Sequence, residues 1–388
     1  MGRARRTSGE AVDQLELWPS EDVAEHPEFY SRQLITYIGN KRSLLGPIAT
    51  AVDKVRGRLG RSKLRMFDAF AGSGVVSRYF KSHASYLASN DLEEYAAIVA
   101  RCFLTNRSHV DNVLLRDIVS NLNNRVESEV PLPGFIEELY APRDDANIIM
   151  SDRVFYTREN ARRLDNYRRM IDTVPGEFRS LLLGPLLSAA SIHANTAGVF
   201  KGFYKDRHTG VGRFGGSGAD ALSRIRGRIE LTPPILSRFE CEYEVFQEDA
   251  NALARRLKRL DLAYLDPPYN QHPYGSNYFM LNLLARYERP ERVSAVSGIP
   301  TDWGRSGYNI RARSLPLIAD LIDAVDAPFV LLSYSNEGFV PVGDMREALA
   351  RVGNVEVIET PYNAFRGSRN FDNRPVHVTE HLYLIERR

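Results

Sequence analysis

The stretch from Leu64 to Gly74 reads LRMFDAFAGSG, and it gives the clearest structural signal in the first part of the chain. Its apolar run through Phe70 is typical of a buried strand. The Ala-Gly-Ser-Gly that follows predicts a tight turn into a helix, because glycine lets the backbone approach a ligand closely. The carboxyl end of a parallel strand is where α/β sheets bind cofactors. We therefore expect a cofactor to contact this turn.

Working outward, short apolar runs of the same kind recur along the chain. The predicted strands are Leu64–Phe70, Tyr86–Ala88, Leu262–Leu265, Phe329–Ser333, Val355–Ile358 and His381–Ile385. A helix, Leu92–Phe103, is predicted after the second strand. The last two alternate apolar and polar residues, which indicates a terminal antiparallel pair. Strands that alternate with helical stretches predict an α/β fold, here a Rossmann-like sheet with helices on both faces and an antiparallel terminal strand.

The composition and the periodicity of the sequence change between Arg101 and Glu240. Three helical patterns occur here, at Asp111–Val126, Asp152–Thr173 and Phe178–Ile192. They are followed by a stretch rich in glycine, aromatic and basic residues, Ala194–Asp220. We interpret residues 106–239 as a mainly helical insertion. The remaining parts are an N-terminal tail, residues 1–30, and a main domain built from residues 31–105 and 240–388.

Composition narrows the class of protein. Of the 388 residues, 43% are hydrophobic and 26% charged, which fits a soluble globular protein and argues against disorder. No apolar run reaches the roughly 20 residues that span a bilayer, so no membrane contact and a cytoplasmic location are expected. Cys102 and Cys241 are the two cysteines, which excludes a disulfide framework or a cysteine zinc site and indicates buried or idle thiols.

Charge is segregated along the chain although the net charge is only +2. Residues 31–65 hold nine Lys or Arg with Asp53 as the one acid, and residues 201–228 hold seven basic residues against two acids. Such local excesses are typical of a face that binds a polyanion. The alternative for either run is a solvated surface.

Asp266-Pro267-Pro268-Tyr269 directly follows the apolar run that ends at Leu265. Two consecutive prolines make a rigid turn without backbone N–H donors, so the Asp266 carboxylate and the Pro267 carbonyl remain as acceptors. These acceptors suit the two N–H groups of an exocyclic aromatic amine, and the ring of Tyr269 suits stacking on the base. The alternative is an ordinary turn after a strand.

An acidic residue follows the second predicted strand. Asp91 stands about 20 residues after the glycine turn, where an acid is placed to hold ribose hydroxyls. Alternatively, it is the N-cap of the helix predicted to begin at Leu92. Because the third glycine of the dinucleotide-binding spacing is missing, the pattern argues against a nicotinamide cofactor.

Taken together, these motifs resemble the adenine-N6 DNA methyltransferases of the dam-like type, which are common in bacterial restriction-modification systems. Residues 37–41, YIGNK, look like that family's N-terminal cofactor motif. Residues 70–74 look like its F-x-G-x-G loop, and residues 266–269 are its catalytic D-P-P-Y. The order of motifs is similar to the alpha group, in which an insertion between the ribose-binding acid and the next acid, here Asp249, recognises the DNA target.

The resemblance implies S-adenosylmethionine as the cofactor. Asp91 would hold its ribose, Asp249 would read its adenine, and Phe70 would pack near the sulfonium. Lys41, or the backbone beside it, would meet the methionine carboxylate; alternatively Lys41 contacts DNA phosphate. The implied cofactor-binding residues are Tyr37, Asn40, Lys41, Asp68, Phe70, Gly72, Gly74, Asp91 and Asp249.

The implied reaction is direct methyl transfer to the N6 amino group of an adenine flipped out of duplex DNA. Asp266, Pro267, Pro268 and Tyr269 would be catalytic, with hydrogen bonds that stabilise the positive charge developing on nitrogen. The segment 362–367 is a candidate for the other wall of the base pocket, or else a surface loop. The candidate DNA-binding residues are Lys201, Tyr204, Lys205, Arg207, Arg213 and Arg366, with base or phosphate contact open for the arginines.

Other functions remain possible on these residues. An N4-cytosine DNA methyltransferase uses the same chemistry but more often begins the tetrapeptide with Ser, and an RNA adenine enzyme usually begins it with Asn. A non-catalytic DNA-binding regulator would not need Asp266 and Tyr269. Isolated histidines such as His193 and His208 have no partner cluster, so no metal is expected. Because the catalytic domain and insertion occupy the whole length, a cognate restriction endonuclease would be a separate chain.

Overall fold

A seven-stranded sheet forms the centre of the computed structural model, which describes residues 24–216, 221–363 and 377–388. Its strands are β1 (Leu64–Asp68), β2 (Ala84–Asn90), β3 (Glu242–Phe246), β4 (Leu262–Leu265), β5 (Phe329–Ser335), β6 (Gly353–Asn363) and β7 (His377–Arg387). The order is β3-β2-β1-β4-β5-β7-β6, with β1 to β5 parallel and β7 antiparallel to both neighbours. The predicted Rossmann-like sheet with an antiparallel terminal strand is confirmed.

Helices surround the sheet and build a second layer beside it. They are α1 (Leu45–Leu59), α2 (Val75–Lys81), α3 (Glu94–Leu104), α4 (Asn112–Ser128), α5 (Phe135–Tyr140), α6 (Arg158–Ile171), α7 (Gly176–Ile192), α8 (Leu222–Arg226), α9 (Ala250–Ala254), α10 (Tyr274–Asn277), α11 (Phe279–Arg286), α12 (Arg311–Ala324) and α13 (Val342–Ala350). No helix of the described residues is both long and apolar enough to span a membrane.

The sheet is apolar on both faces because successive side chains of a strand point to opposite sides. Met66 packs in the core formed with α1 and α2, whereas its neighbour Phe67 packs in the core formed with α9, α12 and α13. The same alternation separates Leu331 from Val330 in β5. Strands buried on both faces appear in sequence as continuous apolar runs, which is why β1, β4 and β5 were predictable.

Residues from the stretch interpreted as an insertion, 106–239, form a separate core with α3 and α11. Helices α4 and α7 confirm two of the predicted helices, and α6 begins six residues later than the predicted Asp152 because Thr157 caps it, accepting the Asn160 N–H at 3.2 Å. Helix α7 packs closely on α3: a Cβ at Gly184 would lie 2.6 Å from the Cys102 sulfur. Phe279 of α11 is buried in this same core, so the packing boundary does not follow the ends of the insertion along the chain.

Two features of the edges were not predicted. Strand β3 reads EYEVF and pairs with β2 at the edge of the sheet, where its side chains stay partly exposed, so it lacks the apolar run of a central strand. Residues 24–30, placed by sequence in a tail, are anchored through Phe29, which is fully buried. The guanidinium of buried Arg78 donates to the carbonyls of Phe29, Arg32 and Gln33 at 2.9, 3.1 and 2.9 Å.

Candidate active site

A cleft opens at the carboxyl ends of β1, β2 and β4. Parallel strands bring their carboxyl ends to one edge of the sheet, so segments distant in sequence meet there. The sequence-predicted residues that line it are Tyr37, Lys41, Phe70, Gly72, Asp91, Asp249, Asp266 and Pro268. The cleft therefore gathers the N-terminal motif, the glycine turn, both candidate cofactor acids and the D-P-P-Y turn.

The glycine turn after β1 requires glycine. Gly72 and Gly74 have φ of 52° and 77°, in the left-handed region that side chains disfavour. A Cβ at Gly72 would lie 3.0 Å from the ring of Tyr37. The Gly72 N–H donates to Asp91 Oδ2 at 2.8 Å, so the acid after β2 fixes the turn as well as facing the cleft.

Asp91 is therefore not the helix cap that was its alternative interpretation. Helix α3 begins at Glu94, and its N-cap position is Glu93, whose N–H donates to Asp91 Oδ1 at 2.9 Å. Burial raises the pKa of Asp91 although these backbone donors lower it. Glu93, which the sequence analysis did not single out, also lines the cleft; burial raises its pKa to about 7, and Asn282 donates to it at 2.6 Å.

Three tyrosines form a stack at one side of the cleft. The ring of Tyr37 lies parallel to Tyr274, with centroids 5.1 Å apart, and to Tyr278, with centroids 4.7 Å apart. The N–H of Ile38 donates to the Tyr278 hydroxyl at 2.6 Å, which ties the N-terminal motif to the segment after the D-P-P-Y turn. Sequence reasoning missed Tyr274 and Tyr278, although a spacing of four, which would place both side chains on one face of a helix, is a usable signal.

Asn40 and Lys41 have different places. The Asn40 side chain accepts the Arg42 N–H at 2.9 Å and so caps the 3₁₀ turn Lys41–Leu44, outside the cleft lining. Lys41 is only 5% exposed, so its side chain lies within the protein and not on the outer surface. Its ammonium lies 3.1 Å from Asp266 Oδ1 and 2.9 Å from Glu380 Oε1, so it forms an ion pair with each carboxylate.

The D-P-P-Y turn leaves β4 with Asp266 facing the cleft and Pro267 buried. Burial raises the pKa of Asp266 to about 7; Lys41 opposes this rise and Glu380 adds to it. For Lys41, burial lowers the pKa, but Asp266 and Glu380 more than offset it, so the pKa is raised. The ring of Tyr269 meets Tyr334 edge-on, with centroids 6.1 Å apart, and does not line the cleft itself.

The opposite wall comes from residues 304–309, for which the sequence analysis made no prediction. Tyr308 meets Phe70 edge-on at 5.2 Å, and its hydroxyl donates to Asn251 Oδ1 at 2.6 Å. Asn309 donates to the Asn270 carbonyl at 2.8 Å, joining this wall to the residue after the D-P-P-Y turn. No local motif marks these positions, because their role depends on long-range contacts.

Two predicted cofactor acids differ in exposure. Asp249 is exposed at the cleft edge, where its Oδ1 accepts the Ala252 N–H at 2.9 Å and caps α9. Asp68 is fully buried below the glycine turn and does not line the cleft. Its carboxylate accepts the Ser77 hydroxyl at 2.6 Å, and burial raises its pKa to about 7.

The predicted DNA-binding segment packs against the turn that follows β4. The Phe200 N–H donates to the Asn277 carbonyl at 2.7 Å, and the Lys201 ammonium lies 3.1 Å from His272 Nδ1. Residues 205 and 212 form an antiparallel bridge, so this stretch is a hairpin beside the cleft.

Its predicted contact residues divide by exposure. Lys201 and Arg207 are exposed, and Tyr204 and Lys205 are half-buried. Arg213 donates to the Gly216 carbonyl at 2.6 Å and so also holds the hairpin together. The aromatic rings of Phe200 and Phe203, in the same segment, are buried in the helical core and so do not lie on a surface that reaches DNA. Arg366, with most of the 362–367 segment, lies outside the described residues.

Comparison with known proteins gives matches that include these motifs. A family model, D12 class N6 adenine-specific DNA methyltransferase, matches residues 37–297. The chain is 29% identical over 363 residues to the type II methyltransferase M.NlaIII of Neisseria lactamica, covering 91% of this chain and 99% of that protein. It is 28% identical over 360 residues to the type II methyltransferase M.CviAII of Paramecium bursaria Chlorella virus 1, covering 90% and 98%. The modification methylase StsI of Streptococcus sanguinis is 28% identical over 369 residues, covering 91% of this chain and 52% of that protein.

Proposed function

The chain belongs to the D12 class of N6 adenine-specific DNA methyltransferases, and we propose that Asp266 and the Pro267 carbonyl hold the adenine amino group during transfer. The resemblance to adenine-N6 DNA methyltransferases is confirmed, and the protein is an S-adenosylmethionine-dependent enzyme acting on DNA. The substrate is therefore adenine in DNA, in place of the alternatives of cytosine in DNA and adenine in RNA. The protein is accordingly an enzyme and not a non-catalytic regulator. The observation that carries the assignment of residues is that Asp266 opens onto the same cleft as the glycine turn.

The residues of the cleft fit the cofactor. When bound, S-adenosylmethionine supplies an electrophilic methyl group on a sulfonium sulfur. A Cβ at Gly72 would fill the space beside Tyr37, so this glycine keeps open the approach to the turn. The carboxylates of Asp91 and Asp249 offer acceptors for ribose hydroxyls and an adenine amino group, and Phe70 with Tyr308 provides an apolar wall.

At the reacting end, the protein supplies hydrogen-bond acceptors in a largely buried position, since the Asp266 side chain is only 18% exposed. The Asp266 carboxylate accepts one N–H of the amino group, and the Pro267 carbonyl accepts the other. Both acceptors stabilise the positive charge that develops on the nitrogen, in a site where burial strengthens electrostatic interactions. With a pKa of about 7, Asp266 is also matched to receive the proton that the amino group loses after transfer.

Because the N6 amino group is paired inside duplex DNA, we infer that the adenine is flipped out of the helix, at a cost of a few kcal/mol. Tyr269, next to the acceptors, provides a ring for stacking on the extruded base. The hairpin around Lys201 and Arg207 lies beside the D-P-P-Y segment, where basic side chains meet phosphates that flank the extruded base. We therefore assign target recognition to the insertion, with this hairpin as its contact to the catalytic domain.

The relatives carry the names type II methyltransferase and modification methylase, which support a role in restriction-modification. In that role, methylation of one short DNA motif protects it from a cognate endonuclease. We expect the endonuclease to be a separate chain.

The assignment is tested by incubating the protein with unmodified duplex DNA and S-adenosylmethionine, followed by single-molecule sequencing. N6-methyladenine at one short motif is the expected result. Asp266→Ala removes the carboxylate acceptor and should abolish methylation while leaving S-adenosylhomocysteine binding, measured by calorimetry, within a few-fold of the wild type. Asp323→Ala, at an exposed position of α12, is the matched control and should methylate normally. Methylation of cytosine, or an active Asp266→Ala, contradicts the proposal.

A further inference from the structure

Glu380 is a buried charge on the terminal strand, beyond the residues that the family model matches. In β7 the residues 378, 380, 382 and 384 share one face, and all the others in this set are apolar and buried. A carboxylate on such a face is costly unless it is paired. Glu380 is 0% exposed, and its Oε1 accepts the Ser333 hydroxyl of β5 at 2.6 Å. Its presence therefore requires a reason other than packing.

The reason is its partner. The Lys41 ammonium lies 2.9 Å from Glu380 Oε1 and 3.1 Å from Asp266 Oδ1, so it bridges the two carboxylates. Exposure falls along this row: the Asp266 side chain is 18% exposed, that of Lys41 is 6% and that of Glu380 is 0%. Asp266 thus faces the cleft, Lys41 stands behind it, and Glu380 stands behind Lys41.

We propose that Glu380 is a positioning residue that, through Lys41, fixes the orientation and the charge of Asp266 for methyl transfer. The inference rests on the proposed role of Asp266 as the acceptor of the adenine amino group. Glu380 does not line the cleft, so it does not contact a substrate bound there. Its action is transmitted by the ammonium that it holds.

The charge arithmetic explains why two carboxylates share one lysine. With all three groups ionised, Lys41 contributes +1 and the two acids −2, so the cluster carries −1. Asp266 paired with Lys41 alone would be neutral, and the ammonium would oppose the positive charge that develops on the adenine nitrogen. Glu380 cancels the ammonium and leaves the charge of Asp266 directed at the reacting group.

The same geometry predicts a distinctive change in titration. Burial is the largest cause of the raised pKa of Asp266, and the negative charge of Glu380 raises it further, whereas Lys41 lowers it. Removing the charge of Glu380 should therefore lower the pKa of Asp266. The other titratable groups that face Asp266 from neighbouring elements are Tyr264, Tyr269, Tyr274, Asp68 and Asp91. None of them changes in the variant, so the shift reports on Glu380.

The test compares Glu380→Gln with the wild type and with Glu359→Gln, a half-exposed glutamate on the adjacent strand β6. Single-turnover methylation under saturating cofactor and DNA should be about ten- to a hundredfold slower at its high-pH plateau, by analogy with the loss of an outer partner that orients a metal ligand. The acid limb of the rate profile should nevertheless move to lower pH. S-adenosylhomocysteine affinity should change by less than about threefold, because Glu380 does not line the cleft. Glu359→Gln should match the wild type.

A readout without turnover makes the test independent of activity. Infrared titration of the protonated carboxyl band, assigned to Asp266 by its loss in Asp266→Asn, should show a lower pKa in Glu380→Gln. An unchanged pKa with an unchanged rate overturns the inference, as does a slow variant whose acid limb does not move, since a purely structural defect would give that pattern. If Glu380→Gln does not fold, Ser333→Ala, which removes the hydroxyl donated to Glu380, should slow methylation, and an unchanged rate overturns the inference. Failure of the proposed function itself is distinguishable, because the wild type would then leave adenine unmodified.

Discussion

Asp68→Asn should stabilise the folded protein at neutral and alkaline pH. Asp68 is fully buried, and burial raises its pKa from 3.8 to about 7, so the folded chain holds this proton more tightly than the unfolded chain does. That stabilisation is complete below pH 3.8 and is lost as the pH rises through 7. At about 1.4 kcal/mol per unit of pKa, the ionised carboxylate disfavours folding by about 4 kcal/mol above pH 7. Asparagine removes the charge and keeps an oxygen to accept the Ser77 hydroxyl.

The assay is urea denaturation of both proteins at pH 5.5 and pH 8. The advantage of Asp68→Asn should be about 2 kcal/mol at the lower pH and about 4 kcal/mol at the higher, because only part of the penalty has developed at pH 5.5. Asp323→Asn, at an exposed position, should differ from the wild type by less than about 0.5 kcal/mol at both. A variant that is destabilised at pH 8, or whose advantage does not grow with pH, refutes the reasoning. Calorimetry with S-adenosylhomocysteine adds a check on the sequence-based prediction that Asp68 contacts the cofactor, since weaker binding would support it.

Gly72→Ala should lower the free energy of unfolding by about 1 to 2 kcal/mol from its positive φ alone and further from contact with Tyr37, measured by urea denaturation. Gly202→Ala, whose Cβ would meet no atom within 4 Å, is the control and should cost much less. Arg78→Met leaves three backbone carbonyls without their charged donor, so it should lose about 3 kcal/mol or more in the same assay, and a loss below 1 kcal/mol would contradict the anchoring role. Lys201→Ala should weaken duplex binding and reduce the slope of log affinity against log salt by about one, with the methylated motif unchanged. An unaltered slope would remove this lysine from the DNA contact.

The central strands were predictable because burial on both faces leaves a continuous apolar run in the sequence. Strand β3 was not, since Glu242 and Glu244 alternate with half-buried residues at the sheet edge. The start of α6 was misplaced because the determining event is a local hydrogen bond to Thr157, which a periodic pattern does not show. Strands that are defined by burial were therefore predictable from the sequence. The edge strand was missed, and the helix start that a cap determines was misplaced.

The candidate site divides in the same way. Residues such as Asp91 and Asp266 carry their signal locally, as acids at the ends of apolar runs, and both line the cleft. Asn40 also stands in a motif, yet the chain uses its side chain as a cap. Tyr308 had no signal, because it reaches the cleft through a contact with Phe70 that no local spacing encodes.

Glu380 shows why topology has to be known before such a residue acquires a role. Strand β7 lies between β5 and β6 and runs antiparallel to both, so its first residues, and not its last, lie beside the carboxyl end of β5. Glu380 is thereby paired in register with Ser335, at the edge of the sheet where the cleft opens. A parallel strand in this place would bring its opposite end, Glu386 and Arg387, to that edge. The reversed strand thus places a buried acid within reach of Lys41, from the opposite end of the chain, and makes the charge on Asp266 depend on both.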